Sequence, residues 1–250
     1  MLITVIKYVG LIIGSYLLGG VMFAKILSKL NKDDITSHDS GNPGTINMLR
    51  NHGILFGLLT FVLDALKGVT AALVGYFLFG GVDGGLIART AIYIGGVSAV
   101  VGHIFPVFFK FKGGKGVATA SGIAFVAHPL VGTILFVVYI LMLVVIKIGS
   151  LSSLLIAIAY LITDTVMLII EQNYIALGLL YFVVALIVWA HRGNIKRLAQ
   201  KNEKVIDLKA VAQKDIDRIN ALKHKKDKVE NNTHEQTAAE VETSNLETNE

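Results

Sequence analysis

Residues 117–146 read VATASGIAFVAHPLVGTILFVVYILMLVVI, thirty residues without a Lys, Arg, Asp or Glu. A transmembrane helix needs about 20 apolar residues, so this run is long for one crossing and short for two. The basic clusters around it decide. Lys25 to Arg50, Lys110 to Lys115 and His191 to Lys204 should share the cytoplasmic side. Apolar runs at Val5–Leu27, Ile54–Phe79 and Thr90–Phe109 precede the stretch, and Leu151–Ile170 and Tyr174–Ala190 follow it. One crossing by residues 117–146 leaves the basic tail outside; two crossings return it inside. His128-Pro129 supplies the break, because the residue before proline is pushed out of helical geometry. The first piece, Val117–Ala127, is then only about 16 Å of helix and must be shielded by its neighbours. The expected fold is an all-α polytopic membrane protein. It has seven transmembrane segments, one of them short, with its N-terminus outside, its tail inside and glycine-rich loops at the cytoplasmic face.

Composition agrees. The chain of 250 residues is 54% hydrophobic and 16% charged, below the quarter usual in soluble domains. It has no cysteine, which excludes disulfides, thiolate catalysis and cysteine-ligated metals. The net charge of +5 is gathered at a few polar junctions, a pattern that membrane orientation explains better than nucleic acid does.

The polar junctions carry the chemistry. Ser40-Gly41-Asn42-Pro43-Gly44-Thr45-Ile46-Asn47-Met48-Leu49-Arg50 is a polar island whose glycines and proline can turn amide N–H groups toward one point. Ser40, Asn42, Thr45 and Asn47 add hydroxyl and amide donors, and Arg50 adds a planar fork suited to phosphate. Lys110-Phe111-Lys112-Gly113-Gly114-Lys115-Gly116 fits the same ligand class. Together they indicate a site for phosphorylated small molecules, with Ser40, Arg50 and Lys115 on phosphate and Gly41, Asn42, Gly44, Asn47, Lys112 and Gly114 in support.

Inside the spans, Asp64 and Lys67 lie three apart on one helical face and can pair. The pair is either structural or a support for the anion site. His103, before Ile104-Phe105-Pro106, reads first as a packed helix-end histidine. Ser150 either caps the helix that follows it or contacts phosphate. Residues 1–198 form the membrane domain and 199–250 a polar cytoplasmic tail. In that tail Val205, Leu208, Val211, Ile216, Ile219 and Leu222 have the spacing of an amphipathic helix. Disorder is expected after Glu230, and no catalytic role is expected of the tail.

Common signatures fail. No Gly-x-x-x-x-Gly-Lys-Ser/Thr loop is present, because Gly116 follows Lys115, and no His has an Asp five positions on. Asp83-Gly84 … Ala88-Arg89 misses the phosphatidyl-alcohol transferase motif by one residue and lacks its downstream aspartates. No metal site and no cofactor emerge.

Five motifs in order carry a resemblance. They are Ser40-Gly41-Asn42-Pro43-Gly44 … Asn47 … Arg50; Leu63-Asp64 … Leu66-Lys67-Gly68; Gly102-His103-Ile104-Phe105-Pro106-Val107-Phe108; Lys110 to Thr119; and His191-Arg192-Gly193-Asn194-Ile195-Lys196-Arg197-Leu198. Over about residues 8–198 the chain resembles the PlsY family, the bacterial glycerol-3-phosphate acyltransferases that use acyl-phosphate. It departs from the family pattern at Tyr16, where a proline usually follows Gly-Ser, at Thr45-Ile46 in place of Ala-Thr, and at Ala190 and Gly193 in place of Arg and Glu.

The resemblance implies acyl transfer from acyl-phosphate to the 1-hydroxyl of glycerol 3-phosphate, giving lysophosphatidic acid and phosphate. The site would face the cytoplasm of a cell-membrane protein, with membrane lipids as neighbours, no nucleic-acid partner, and a phosphate acyltransferase as supplier of the donor. His191 and Asn194, three apart at the end of the last span, are the expected catalytic pair, and Ser150 matches a family Ser-Leu-x-Ser segment. The alternative reading is a transporter of a phosphorylated solute, since glycine breaks and intramembrane charge also suit transporters.

Overall fold

The break at His128-Pro129 splits the long apolar run into a short helix α6 (Val117–Ala127) and a longer α7 (Pro129–Ile146). The computed structural model describes residues 1–224 and 226; the disorder expected after Glu230 lies outside the described residues. The remaining helices are α1 (Leu2–Gly19), α2 (Phe23–Leu30), α3 (Thr45–His52), α4 (Ile54–Leu78), α5 (Gly85–Ile104), α8 (Gly149–Ile170), α9 (Tyr174–Ala190) and α10 (Arg192–Ala199). Residues 208–224 form a further helix, α11. No strand occurs among the described residues.

Five segments among the described residues are long and apolar enough to cross a membrane: 2–30, α4, α5, α7 and α8. A sixth is added if α9 and α10, bent by 57° at His191, count together. The chain is therefore a multi-pass membrane protein. α6, with 11 residues, is apolar but short.

Two details differ from expectation. Val5–Leu27 lies within one span, residues 2–30, but that span is not one continuous helix: it breaks after Gly19 and restarts at Phe23. The freed carbonyl of Val21 accepts a hydrogen bond from Lys67 Nζ at 2.9 Å, so a buried cation replaces the lost helical partner. The third span begins at Gly85 instead of Thr90, which places Arg89 inside the helix beside Glu171, 2.8 Å away.

α5 is the central helix and packs against α1, α4, α6 and α9. Within a bilayer, lipid is as apolar as leucine, so close packing and hydrogen bonds replace the hydrophobic drive. The contact of α4 with α6 shows how. A Cβ on Gly68 would collide with the backbone of Thr119, and one on Gly122 with the backbone of Val69 and Gly68. Small residues thus let α6 lie against α4, with Thr119, Ala120, Gly122, Ile123, Ala124 and Ala127 buried. That shields the short helix. α7 is the opposite case: only Gly132 and Tyr139 are buried, and the rest of its surface suits lipid.

Candidate functional site

A chamber of about 170 Å³ opens where the starts of α3, α6 and α8 meet the α9–α10 bend. Ser40, Asn42, Gly44, Asn47, Arg50, Asp64, His103, Lys115, Ser150, His191 and Asn194 all line it, although they lie far apart in sequence. Gly41, Lys67, Lys112 and Gly114 are not among its lining residues.

The first loop is held in shape by its own polar groups. Gly41 has φ +66°, in the left-handed region that glycine tolerates. Asn47 is buried, and its Nδ2 donates to the carbonyls of Ile35 (3.0 Å), His38 (3.2 Å) and Asn42 (3.0 Å). It therefore positions the loop; its amide N–H groups are already committed. Arg50 Nη2 donates to the carbonyl of Lys204 at 2.8 Å, while Arg50 Nε and Thr45 Oγ1 are buried without a partner.

The lysine-glycine loop behaves differently from expectation. The amides of Gly113 and Gly114 donate to the carbonyls of Ile104 (3.2 Å) and His103 (3.0 Å), so they close the end of α5 and are spent there. A Cβ on Gly114 would strike the His103 ring, and one on Gly113 would strike the His103 carbonyl. These glycines permit close packing of the loop on α5. Lys112 is exposed and lies away from the chamber. Lys115 is half-buried on the chamber wall, and burial pushes its ammonium pKa down to about 8, with Glu203 opposing the shift and Arg197 and Arg50 adding to it.

Asp64, Lys67 and His103 form a buried unit under the chamber. Lys67 Nζ lies 2.9 Å from Asp64 Oδ1, as an ion pair without hydrogen-bond alignment, and donates to His103 Nδ1 at 2.7 Å. With its third contact to Val21, the lysine is fully engaged, which gives it a structural part.

His191 is 2% exposed at the junction of α9 and α10. Its Nδ1 lies 2.8 Å from the Ile187 carbonyl and must carry the proton to donate there. The neutral ring then presents Nε2 as an acceptor. Asn194 Nδ2 donates to Glu203 Oε1 at 2.7 Å. Ser150 sits in the first turn of α8 and makes no cap; its hydroxyl donates to the same oxygen at 2.9 Å.

Sequence reading missed Tyr139, Ser153, Arg197, Asp39, Glu203 and Lys204, which also line the chamber. Ser153 and Arg197 were within reach, each three residues after a chosen residue on the same helix face. Tyr139 is the only polar ring in α7, and its hydroxyl lies 3.4 Å from Ser153 Oγ. A narrower apolar cleft of about 50 Å³ shares Phe61, Val117 and Tyr139 with the chamber and runs between α4, α6, α7, α8 and α9.

Residues 9–201 match the family model described as glycerol-3-phosphate acyltransferase. The chain belongs to the glycerol-3-phosphate acyltransferase family. A relative with that name from Aquifex aeolicus is 37% identical over 198 residues, spanning 79% of this chain and 98% of the relative. One from Bacillus velezensis is also 37% identical, over 78% of this chain and 96% of its own length. Two solved structures of PlsY (YgiH), an integral membrane glycerol 3-phosphate acyltransferase, share 35% identity with it. The glycerol 3-phosphate form has a TM-score of 0.69 and matches 79% of this chain and 94% of that one. The lysophosphatidic acid form has a TM-score of 0.68 and matches 82% and 97%. The family model matches up to residue 201, and the chain continues to residue 250.

Proposed function

We propose that this protein transfers a fatty acyl group from acyl-phosphate to the 1-hydroxyl of glycerol 3-phosphate, giving lysophosphatidic acid and inorganic phosphate. One observation carries the reading. A cationic chamber with unsatisfied buried donors joins an apolar cleft through Phe61, Val117 and Tyr139, so one site suits both a phosphate and an acyl chain. The solved PlsY structures are described in a glycerol 3-phosphate form and a lysophosphatidic acid form, which supports the same chemistry here.

In this reading Arg50 and Lys115 hold substrate phosphates, helped by Ser40, Asn42 and Ser150. Two phosphorylated substrates repel each other, and concentrated positive charge offsets that repulsion. The 1-hydroxyl donates to His191 Nε2 and attacks the acyl carbonyl carbon. The new C–O ester bond forms, the bond from the acyl carbon to the phosphate oxygen breaks, and its electron pair leaves with phosphate. The hydroxyl proton passes to His191 or directly to the departing phosphate, which ends as hydrogen phosphate. Asn194 orients the hydroxyl or the carbonyl. Arg50 and Lys115 stabilise the charge that develops on the leaving oxygen. Phosphate leaves readily, so no covalent enzyme intermediate is needed, and activity should survive exhaustive chelation.

The membrane arrangement belongs to the same proposal. α6 and α9 complete seven segments, with the N-terminus outside and the chamber facing the cytoplasm of a cell membrane. The common side of the three basic clusters supports this. A phosphate acyltransferase would supply the donor. Detergent-purified protein given palmitoyl-phosphate and glycerol 3-phosphate should release lysophosphatidic acid and phosphate. Solute movement into vesicles without product in detergent would favour a transporter instead. A single cysteine at the exposed Lys112, in a chain that has none, should resist labelling from outside intact cells.

A further inference from the structure

The tail helix α11 is fastened to the bundle along its first half. The chain leading into it is held by Ile206, 1% exposed, whose amide donates to the Lys147 carbonyl at 2.6 Å. Val211 is buried, and Lys214 Nζ donates to the Arg50 carbonyl at 2.6 Å. Asp215 Oδ2 accepts from the Ile54 amide at 2.6 Å, at the otherwise uncapped start of α4. The Arg218 guanidinium lies 4.3 Å over the Phe56 ring. α4 is one of the spans, so its first turn lies where the chain enters the membrane. Asp215 therefore fixes the middle of α11 at that level.

Beyond Asp215 the helix leaves the bundle. From 216 to 224 every residue except Arg218 is exposed. Leu208, Val211, Asp215, Ile219 and Leu222 follow at steps of three and four and share one helical face. Its first three residues turn that face toward the protein, and its last two carry it past the edge. Ile216, Ile219 and Leu222 form a slanted apolar stripe there, 50%, 52% and 62% exposed. The neighbouring surface belongs to the start of α4, where Ile54, Leu55 and Leu58 are exposed along a membrane span.

The charges of α11 are sorted around that stripe. Asp215 is engaged by Ile54 and by Arg218, 3.4 Å away. Asp217 lies on the far side of the helix from Ile219, where Gln213 donates to it at 2.8 Å. Lys209 and Lys223 flank the stripe, and Lys225, Lys226 and Lys228 follow in the sequence. Lysine lays its stem along apolar surface and carries its ammonium outward to a headgroup. An apolar stripe flanked by cations, with the acid turned away, is the pattern of a helix that lies in a membrane interface. We infer that the second half of α11 rests on the protein's own bilayer, with Ile216, Ile219 and Leu222 among the lipids and its lysines on anionic headgroups. Continuity with the lipid-facing start of α4 selects the bilayer as the partner. The inference depends on α4 as a span and not on the reaction proposed above. Through Lys214 and Asp215, the same contact fixes the junction of α3 and α4 at headgroup level.

The test uses the full chain, which has no cysteine, in lipid nanodiscs. Spin labels are attached in turn at Ile219→Cys, Leu222→Cys, Gln213→Cys and Asp217→Cys, all exposed or half-buried positions apart from the chamber. Collisions with lipid-soluble oxygen and with a water-soluble nickel chelate are compared. Labels at 219 and 222 should favour oxygen and sit about 5–10 Å into the headgroup and acyl boundary, while labels at 213 and 217 favour nickel. Adding phosphatidylglycerol to phosphatidylcholine should raise the oxygen-to-nickel ratio at 219 by about threefold or more, and Lys209→Glu with Lys223→Glu should abolish the rise. Equal nickel access at all four positions would overturn the inference. Shielding of 219 and 222 from both reagents would overturn it too, by showing that a second copy or the chain's own end covers the stripe. A rise that survives the charge reversal would remove the lysines from the contact. None of these readings depends on turnover, so the proposed reaction can fail without affecting them.

Discussion

The two ends of α5 carry polar clusters that look alike in sequence and use their valences differently. Toward its start, His128 Nδ1 meets Asp164, His128 Nε2 lies 3.2 Å from Glu171, Arg89 reaches the same Glu171, and the Tyr93 hydroxyl donates to Asp164 at 2.7 Å. Positive and negative groups there answer one another. About 21 Å along the helix, at ~1.5 Å per residue from Arg89 to His103, lies the chamber. There Arg50 Nε and Thr45 Oγ1 are buried without partners, and Glu203 and the Lys204 carbonyl occupy other donors. A buried polar group that is unsatisfied is costly, so it is tolerated where a ligand completes it. The comparison separates charges that hold the bundle together from charges that await a substrate.

The largest test of that separation is Asp164→Ala. It strands His128 and Tyr93 in the bundle and should cost about 3–5 kcal/mol, the usual cost of breaking a buried pair. Thermal unfolding in detergent should show a large drop in midpoint, with activity per folded molecule retained. A variant as stable as wild type would erase the contrast. Arg50→Lys is the converse. It keeps the charge and loses the two-pronged fork, so kcat/KM should fall about a hundredfold, ~2.7 kcal/mol, with the unfolding midpoint nearly unchanged. Normal kinetics would remove Arg50 from phosphate contact.

His191→Ala and Asn194→Ala should each lower turnover at least about tenfold, ~1.4 kcal/mol, in protein that still folds. If His191→Gln keeps most activity, hydrogen bonding outweighs proton transfer at that position. The smallest effect is on pH. Lys115 is charged below its pKa of about 8 and loses that charge as pH rises through it. From pH 7 to 8.5 the protonated fraction of such a group falls about fourfold, and a phosphate-substrate KM should rise by a similar factor. Lys115→Arg should move that rise to higher pH; an identical profile would assign it to another group.

Much of this was legible in the chain itself. The lack of charge from Val117 to Ile146, the proline after His128 and the placement of lysines predicted the break between α6 and α7, and the structure breaks there. Ser40, Arg50, Lys115, Ser150, His191 and Asn194 were chosen by chemical type and motif order, and they line one chamber. Lys112 was chosen by the same reasoning and is exposed, outside the chamber lining, because a loop's composition does not say which side chain turns inward. The amides of Gly113 and Gly114 looked available, but the end of α5 claims them.

The sequence by itself determined a helical membrane protein and the chemical character of its polar junctions, because hydrophobicity, charge sidedness and proline stereochemistry act locally along the chain. Only the tertiary structure decided which donors were already spent. Lys67 is absorbed by Val21, Asp64 and His103, and Asn47 by three loop carbonyls. Glu203, an ordinary polar residue of the tail when read in line, lies against residues of α8 and α10. Satisfaction of a hydrogen bond is a property of pairs, and pairs separated by 53 residues, as Ser150 and Glu203 are, exist only once the chain has folded.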